Sequence, residues 1–295
     1  MSTTIVSRRH LMTGGSSLLL ASSGLQSPAY AFLDNPTFNT TVNVSLQWPK
    51  FAAALAGGVL SSVAISVVGK VLFGGGQDVD LSALIREFAA VVEKVVQQQI
   101  KINDREKLEA RAKGLQDLFR YYMNAPEDQQ LTLLVRDTVL GVREAERLGV
   151  FGMASYGIIG SLVLASLQEK YLKTRADGAR KNIVVAARQL VDGVPAFSKA
   201  LRADTEKRFS RIHGGGLGFV LMDGNNRLRV GVPNEKAVAQ RHRYIEDAYA
   251  ESRRKLLDGL DETRDLWIAI AQKYSERPTG KTPERAIYKT PVRPV

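Results

Sequence analysis

The sequence predicts an all-α protein: a bundle of about seven helices around one central apolar helix, with a small β-hairpin insertion near residues 217–232. Three observations carry this. Aromatic residues make up only 7% of the chain while Ala, Val and Leu are common, a mix that suits helices better than a sheet sandwich. Apolar residues recur at alternating three- and four-residue spacing in several successive segments, the signature of one buried helical face. One stretch, residues 148–168, holds no charged residue and is apolar nearly all round, so it is either central to a bundle or spans a membrane.

The chain begins with an address. Arg8 and Arg9 precede a modest apolar run containing Leu18, Leu19 and Leu20, and Ala29-Tyr30-Ala31 closes it with an A-x-A cleavage pattern. That order defines a secretory signal over residues 1–31. The adjacent arginines resemble a twin-arginine signal, which exports folded cargo; an ordinary basic region for general secretion is the alternative. Residues 32–50 are Asn/Thr-rich with Pro36 and Pro49 and read as an extended lead-in. A helical domain is expected over residues 51–276, and a Pro-rich disordered tail over residues 277–295.

Within the domain, residues 51–69 carry no charge but are rich in Gly, Ser and Ala. They approach the length of a membrane span, yet read better as a buried or surface-packed helix. Asp80 is a candidate N-cap for a helix that places Leu81, Leu84, Ile85, Phe88, Val92, Val95 and Val96 on one face. Asn103 or Asp104 would cap the next, with Leu108, Ala112, Leu115, Phe119 and Tyr122 inward, and Asn124-Ala125-Pro126 ends it. Residues 127–147 form a third amphipathic helix. Leu131, Leu134, Val135, Thr138 and Val142 face inward, and Arg136, Asp137, Arg143 and Glu144 lie elsewhere on it. The apolar helix 148–168 follows, its Gly149, Gly152, Gly157 and Gly160 allowing close approach by neighbours. A long basic helical region, about 177–212, is expected to kink or split near Gly193 and Pro195. Asp223-Gly224 between β-prone runs marks the hairpin, and a long charged helix spans about 234–275.

The order of these segments resembles the N-terminal helical, pore-forming domain of the insecticidal crystal delta-endotoxins over roughly residues 37–212. The resemblance lies in Val44-Ser45-Leu46 leading to the Gly-rich apolar helix and Val71-Leu72-Phe73-Gly74, in IREFAAVVEKVVQQQI at 85–100, and in Gly114 through Tyr122. The pair 127–147 and 148–172 falls where the family places its fourth and fifth helices. The resemblance implies that this hairpin, 127–172, enters a bilayer and oligomerises into a pore. Phe151, Tyr156, Ile158, Ile159, Leu162 and Leu164 would then belong to the central, membrane-inserting helix. Arg136, Asp137, Arg143 and Glu144 are implied pore-lining residues, since charges are tolerated in a membrane only where they meet water. The family's β-rich targeting domains have no counterpart in the resemblance, so a separate targeting protein is implied.

Composition excludes some chemistry. The chain lacks cysteine, which removes disulfides, thiolate catalysis and cysteine metal sites. His213 and His242 lack zinc-ligand spacing, no GxSxG elbow is present, and the Gly214–Gly218 run lacks a Walker lysine. The expectation is therefore no enzyme activity and no cofactor. A net charge of +11, or +9 after loss of residues 1–31, attracts anionic lipid or nucleic acid. Export argues against nucleic acid as a partner. A non-inserting, exported helical interaction or scaffold module is the alternative.

Overall fold

The computed structural model describes residues 48–73, 79–209, 211–213, 219–224, 226–231 and 235–276. The signal, most of the lead-in, the Gly214–Gly216 run and the tail lie outside them. Nine α-helices are described: α1 Trp48–Leu60, α2 Ala64–Phe73, α3 Leu81–Val96, α4 Ile102–Asn124, α5 Asp128–Arg147, α6 Met153–Thr174, α7 Asp177–Arg208, α8 Glu235–Leu256 and α9 Asp258–Ser275. Strands β1 Arg211–His213, β2 Phe219–Asp223 and β3 Asn226–Gly231 form a small antiparallel sheet in that order.

The all-α bundle is as the periodicity predicts, with α6 at its centre. Every residue of α6 from Met153 to Gln168 is buried. Its most extensive neighbours are α5, α1 and α7, with α2 and α9 contributing smaller contacts. Asp80 caps α3, its Oδ1 accepting from the amides of Ser82 at 2.9 Å and Ala83 at 3.1 Å. Burial of the Asp80 carboxyl opposes its ionisation, but a hydrogen bond from the Ser82 hydroxyl at 2.6 Å, the two amides and Arg86 prevail and hold its pKa below the ordinary value.

Several boundaries differ from the sequence reading, each for a local reason. The lead-in ends earlier than residue 50, because α1 starts at Trp48 and Pro49 occupies its first turn, where no N–H is needed. The uncharged run 51–69 is not one helix. Ser62 adopts φ 60°, a left-handed geometry that separates α1 from α2. Neither Asn103 nor Asp104 caps α4; both lie inside it, and Lys101 is the N-cap without a side-chain bond. The segment 148–152 is a 3-10 turn, Gly149–Gly152, rather than the start of α6. The charged C-terminal helix is two, divided at Leu257, which with Leu256 and Leu260 is buried. The expected hairpin is present as β2–β3, and β1 adds a third strand.

α7 is the largest departure: it runs unbroken through Pro195 and ends at Arg208. A proline here removes one backbone bond and crowds the preceding turn. That turn is packed against α6. The Tyr156 hydroxyl donates to the Leu190 carbonyl at 2.7 Å. Gly193 makes room for it, since a Cβ at this position would lie 2.2 Å from that oxygen. The Tyr156 ring also meets Phe197 and Trp267, with centroids 4.8 Å and 5.7 Å away. The helix continues across Pro195, whose missing N–H would have met the Val191 carbonyl, and Tyr156 packs on the turn beside it.

The sheet is tied to the bundle by Arg208, which grips the Asp223 carboxylate with two nitrogens and donates to the Val95 carbonyl at 3.1 Å. Gly224, at φ +56°, turns the chain between β2 and β3, and its amide donates to the Arg208 carbonyl at 2.9 Å.

Gly193→Ala is expected to lower stability by about 1–3 kcal/mol, the usual range for overpacking. In a Tyr156→Phe background, where the crowded oxygen is gone, the same substitution should cost less. Urea unfolding of the two single variants and the double variant measures the difference; equal costs in both backgrounds would remove the steric explanation.

Candidate functional site

The α5–α6 hairpin is built by complementary faces and a tight turn. α5 buries Leu131, Leu134, Thr138, Gly141 and Ala145, and Gly141 lies against Ile159 of α6. The turn requires glycine twice. Gly149 adopts φ +55°, and a Cβ at Gly152 would sit 1.9 Å from the Ala145 carbonyl oxygen. Asp128 in the first turn of α5 meets Lys173 near the end of α6 at 3.3 Å, closing the open end of the hairpin.

On α6, Tyr156, Ile158, Ile159, Leu162 and Leu164 are fully buried in the core. Phe151 is a correction: it lies in the 3-10 turn at the hairpin tip, half-buried, and not in the central helix. The small residues of α6 receive large side chains from its neighbours. Trp48 fills the space beside Gly157, and Leu190 with Trp267 fills that beside Gly160. Polar atoms are matched as well. Ser161 Oγ accepts from Trp267 Nε1 at 3.2 Å, and Ser166 donates to the Leu162 carbonyl at 2.9 Å. The buried Ser155 hydroxyl has no hydrogen-bond partner among the described residues.

The four charged candidates of α5 do not form one cluster. Arg136 is exposed and bonds its neighbour Asp137 at 3.0 Å. Arg143 is exposed on the rim of a groove between α5 and α7, whose floor includes Tyr156 and Val163. Glu144 instead faces α4, where it accepts two hydrogen bonds from Arg111 at 3.0 Å and 2.9 Å. The Arg111 guanidinium holds the Glu144 carboxyl below the ordinary glutamate range, and Glu144 in turn raises Arg111, with Asp137 adding to that field. Arg111 is therefore the organising charge, and the sequence reading does not name it. The available signal was the seven-residue separation of Asp137 and Glu144, which puts two acids on one face and calls for a cation opposite.

At the far end of α6, Glu169 accepts from the Tyr122 hydroxyl of α4 at 2.9 Å, while Lys173 sits 5.2 Å from the Tyr122 ring centroid. Burial and the adjacent Glu169 push the Tyr122 phenol well above its ordinary value, so it stays a donor. Gln168, unnamed as a site from sequence, is fully buried. Its carboxamide accepts from the Ala64 amide at 3.2 Å and donates to the Val59 carbonyl and the Tyr274 hydroxyl.

No protein-family model matches the chain, and neither a curated protein nor a solved structure matches it. The resemblance to the endotoxin helical domain thus rests on the residues quoted above.

Because the folded Glu144 pKa is lowered, its contribution is present above the unfolded value of about 4.3 and is lost as pH falls through the folded value. Glu144→Gln should cost at most about 1 kcal/mol at pH 7, the range of a solvent-accessible pair. It should also flatten the fall of thermal midpoint below pH 4.5. Parallel melting curves of wild type and variant across pH 3–7 would rule this out.

Proposed function

We propose that the chain is the water-soluble form of an exported, non-enzymatic, pore-forming or membrane-perturbing protein that inserts the hairpin α5–α6. One observation carries the reading. Gly149–Thr174 is the one helical stretch among the described residues long and apolar enough to cross a bilayer, and the bundle buries 94% of its 18-residue apolar window. Its partner α5 has 20 residues, about 30 Å at 1.5 Å per residue, which matches the hydrocarbon thickness.

The energetics support an exchange between bundle and bilayer. Lipid tails are about as apolar as leucine side chains, so moving α6 from one to the other changes its apolar burial little. The balance then falls on polar groups and on α5, whose charged face needs water within an oligomer. A net charge of +9 after loss of residues 1–31 favours an anionic surface, and Arg8-Arg9 with Ala29 and Ala31 supports export of an already folded chain.

A second reading, a non-inserting scaffold module, is favoured by the fit of Trp48 at Gly157 and Trp267 at Gly160, the tight interdigitation of a permanent core.

Dye-filled vesicles separate the two readings. Those containing phosphatidylglycerol are expected to leak more than phosphatidylcholine vesicles, at pH 7, at pH 4 or after limited proteolysis. Absence of both leakage and lipid binding under all of these conditions overturns insertion and leaves the scaffold reading. Export is checked separately: replacing Arg8 and Arg9 together with Lys should retain full-length precursor in a bacterial host, whereas wild type yields a product starting at Phe32. Unchanged export of the variant would count against the twin-arginine route.

A further inference from the structure

Two long uncharged segments among the described residues, 51–69 and 148–168, are packed on each other. α1 is among the most extensive neighbours of α6, and α2 touches it as well. Trp48 seats against Gly157 of α6. The uncharged run 51–69 is bounded by Lys50 and Lys70, both exposed. Its 19 residues would reach about 28 Å as a helix, close to the hydrocarbon thickness.

The break at Ser61–Ser62 obscures this second span. A break frees backbone groups, and several of them find partners here. The Ser61 and Val63 amides return to the Gly57 and Gly58 carbonyls at 2.9 Å and 3.0 Å. The Ala64 amide has no helical acceptor and donates to Gln168 Oε1 at 3.2 Å. The Val59 carbonyl takes Gln168 Nε2. The Leu60 carbonyl takes Lys273 Nζ, which also donates to Ser62 Oγ at 2.9 Å. Lys273 and Tyr274 lie on α9, which carries Asp258, Asp261, Glu262, Arg264 and Asp265 and belongs in water. Gln168 lies on α6, at the end of its uncharged run.

We propose that α1–α2 forms a second, broken membrane span that enters the bilayer together with α6, joined to it through Gln168. The inference rests on the insertion reading above and adds a partner to α6. In hydrocarbon a broken helix survives only where neighbouring side chains satisfy its freed backbone groups. The Gln168 carboxamide does this for one amide and one carbonyl at once. An apolar residue at 168 would leave both orphaned, and the Gln168 carboxamide itself would be unpaired in lipid if α6 inserted without α1–α2.

The experiment uses the full exported chain with phosphatidylglycerol/phosphatidylcholine vesicles carrying a photoreactive probe confined to the acyl region, followed by peptide mapping. Label is expected on both 148–172 and 51–69. Label on 148–172 alone overturns co-insertion while leaving insertion of α6 intact; label on neither overturns both. Gln168→Leu is expected to lower labelling of 51–69 relative to 148–172 about tenfold, the equivalent of one buried hydrogen bond. An unchanged ratio in that variant removes Gln168 as the joint. If the variant does not fold, the wild-type label pattern still decides co-insertion.

Discussion

A helix without a polar face has to be covered on every side while the protein is in water. That constraint organises this bundle. The sixteen residues from Met153 to Gln168 are all buried, and covering them takes α5 on one side, α1 and α2 on another, and α7 with α9 on the rest. Each covering helix is amphipathic or short, and each owes its position to the apolar surface of α6 more than to intrinsic propensity. The turn of α7 before Pro195 belongs to this cover too: the helix runs on across the proline, and Tyr156 bonds the Leu190 carbonyl there.

The covering is held by two kinds of contact that respond differently to environment. Aromatic knobs in glycine holes, Trp48 at Gly157 and Trp267 at Gly160, are shape matches whose value survives changes in pH and salt. The polar ties at the two ends of the hairpin depend on ionisation and on solvent: Arg111 with Glu144, Lys173 with Asp128, Tyr122 with Glu169. The first kind sets how much is gained by staying closed. The second fixes which end of the hairpin is more readily loosened.

Much of this was legible in the sequence where the signal was local. Asp80 as a cap, the inward face of α3, the bounds of α5 and the apolar character of α6 follow from residue type and spacing alone. The structure departs where distant residues decide. Ser62 turns left-handed between α1 and α2, and Gln168, 104 residues from Ala64, supplies the missing backbone partner. α7 stays helical across Pro195, and the turn before the proline packs on Tyr156, 39 positions earlier in the chain. The pore-lining reading of Glu144 could not anticipate Arg111, since the pairing exists only once α4 lies beside α5. A periodicity identifies a face; it does not identify what the face meets.

The pairing of Glu144 with Arg111 also sets an order of events for any opening of the bundle. In water Asp137 and Glu144 serve the α4–α5 seam, so on the proposed insertion α5 would have to part from α4 before these acids could turn elsewhere. The ion pair itself is a weak tie, worth about 1 kcal/mol or less at this exposure. Acid alone therefore loosens the seam without opening it. The larger barrier is the withdrawal of α6 from Trp48, Trp267 and Leu190, and only a second apolar phase returns what that withdrawal removes. On the proposed insertion a bilayer would supply such a phase, and its pull on α6 would not depend on whether the acids are protonated.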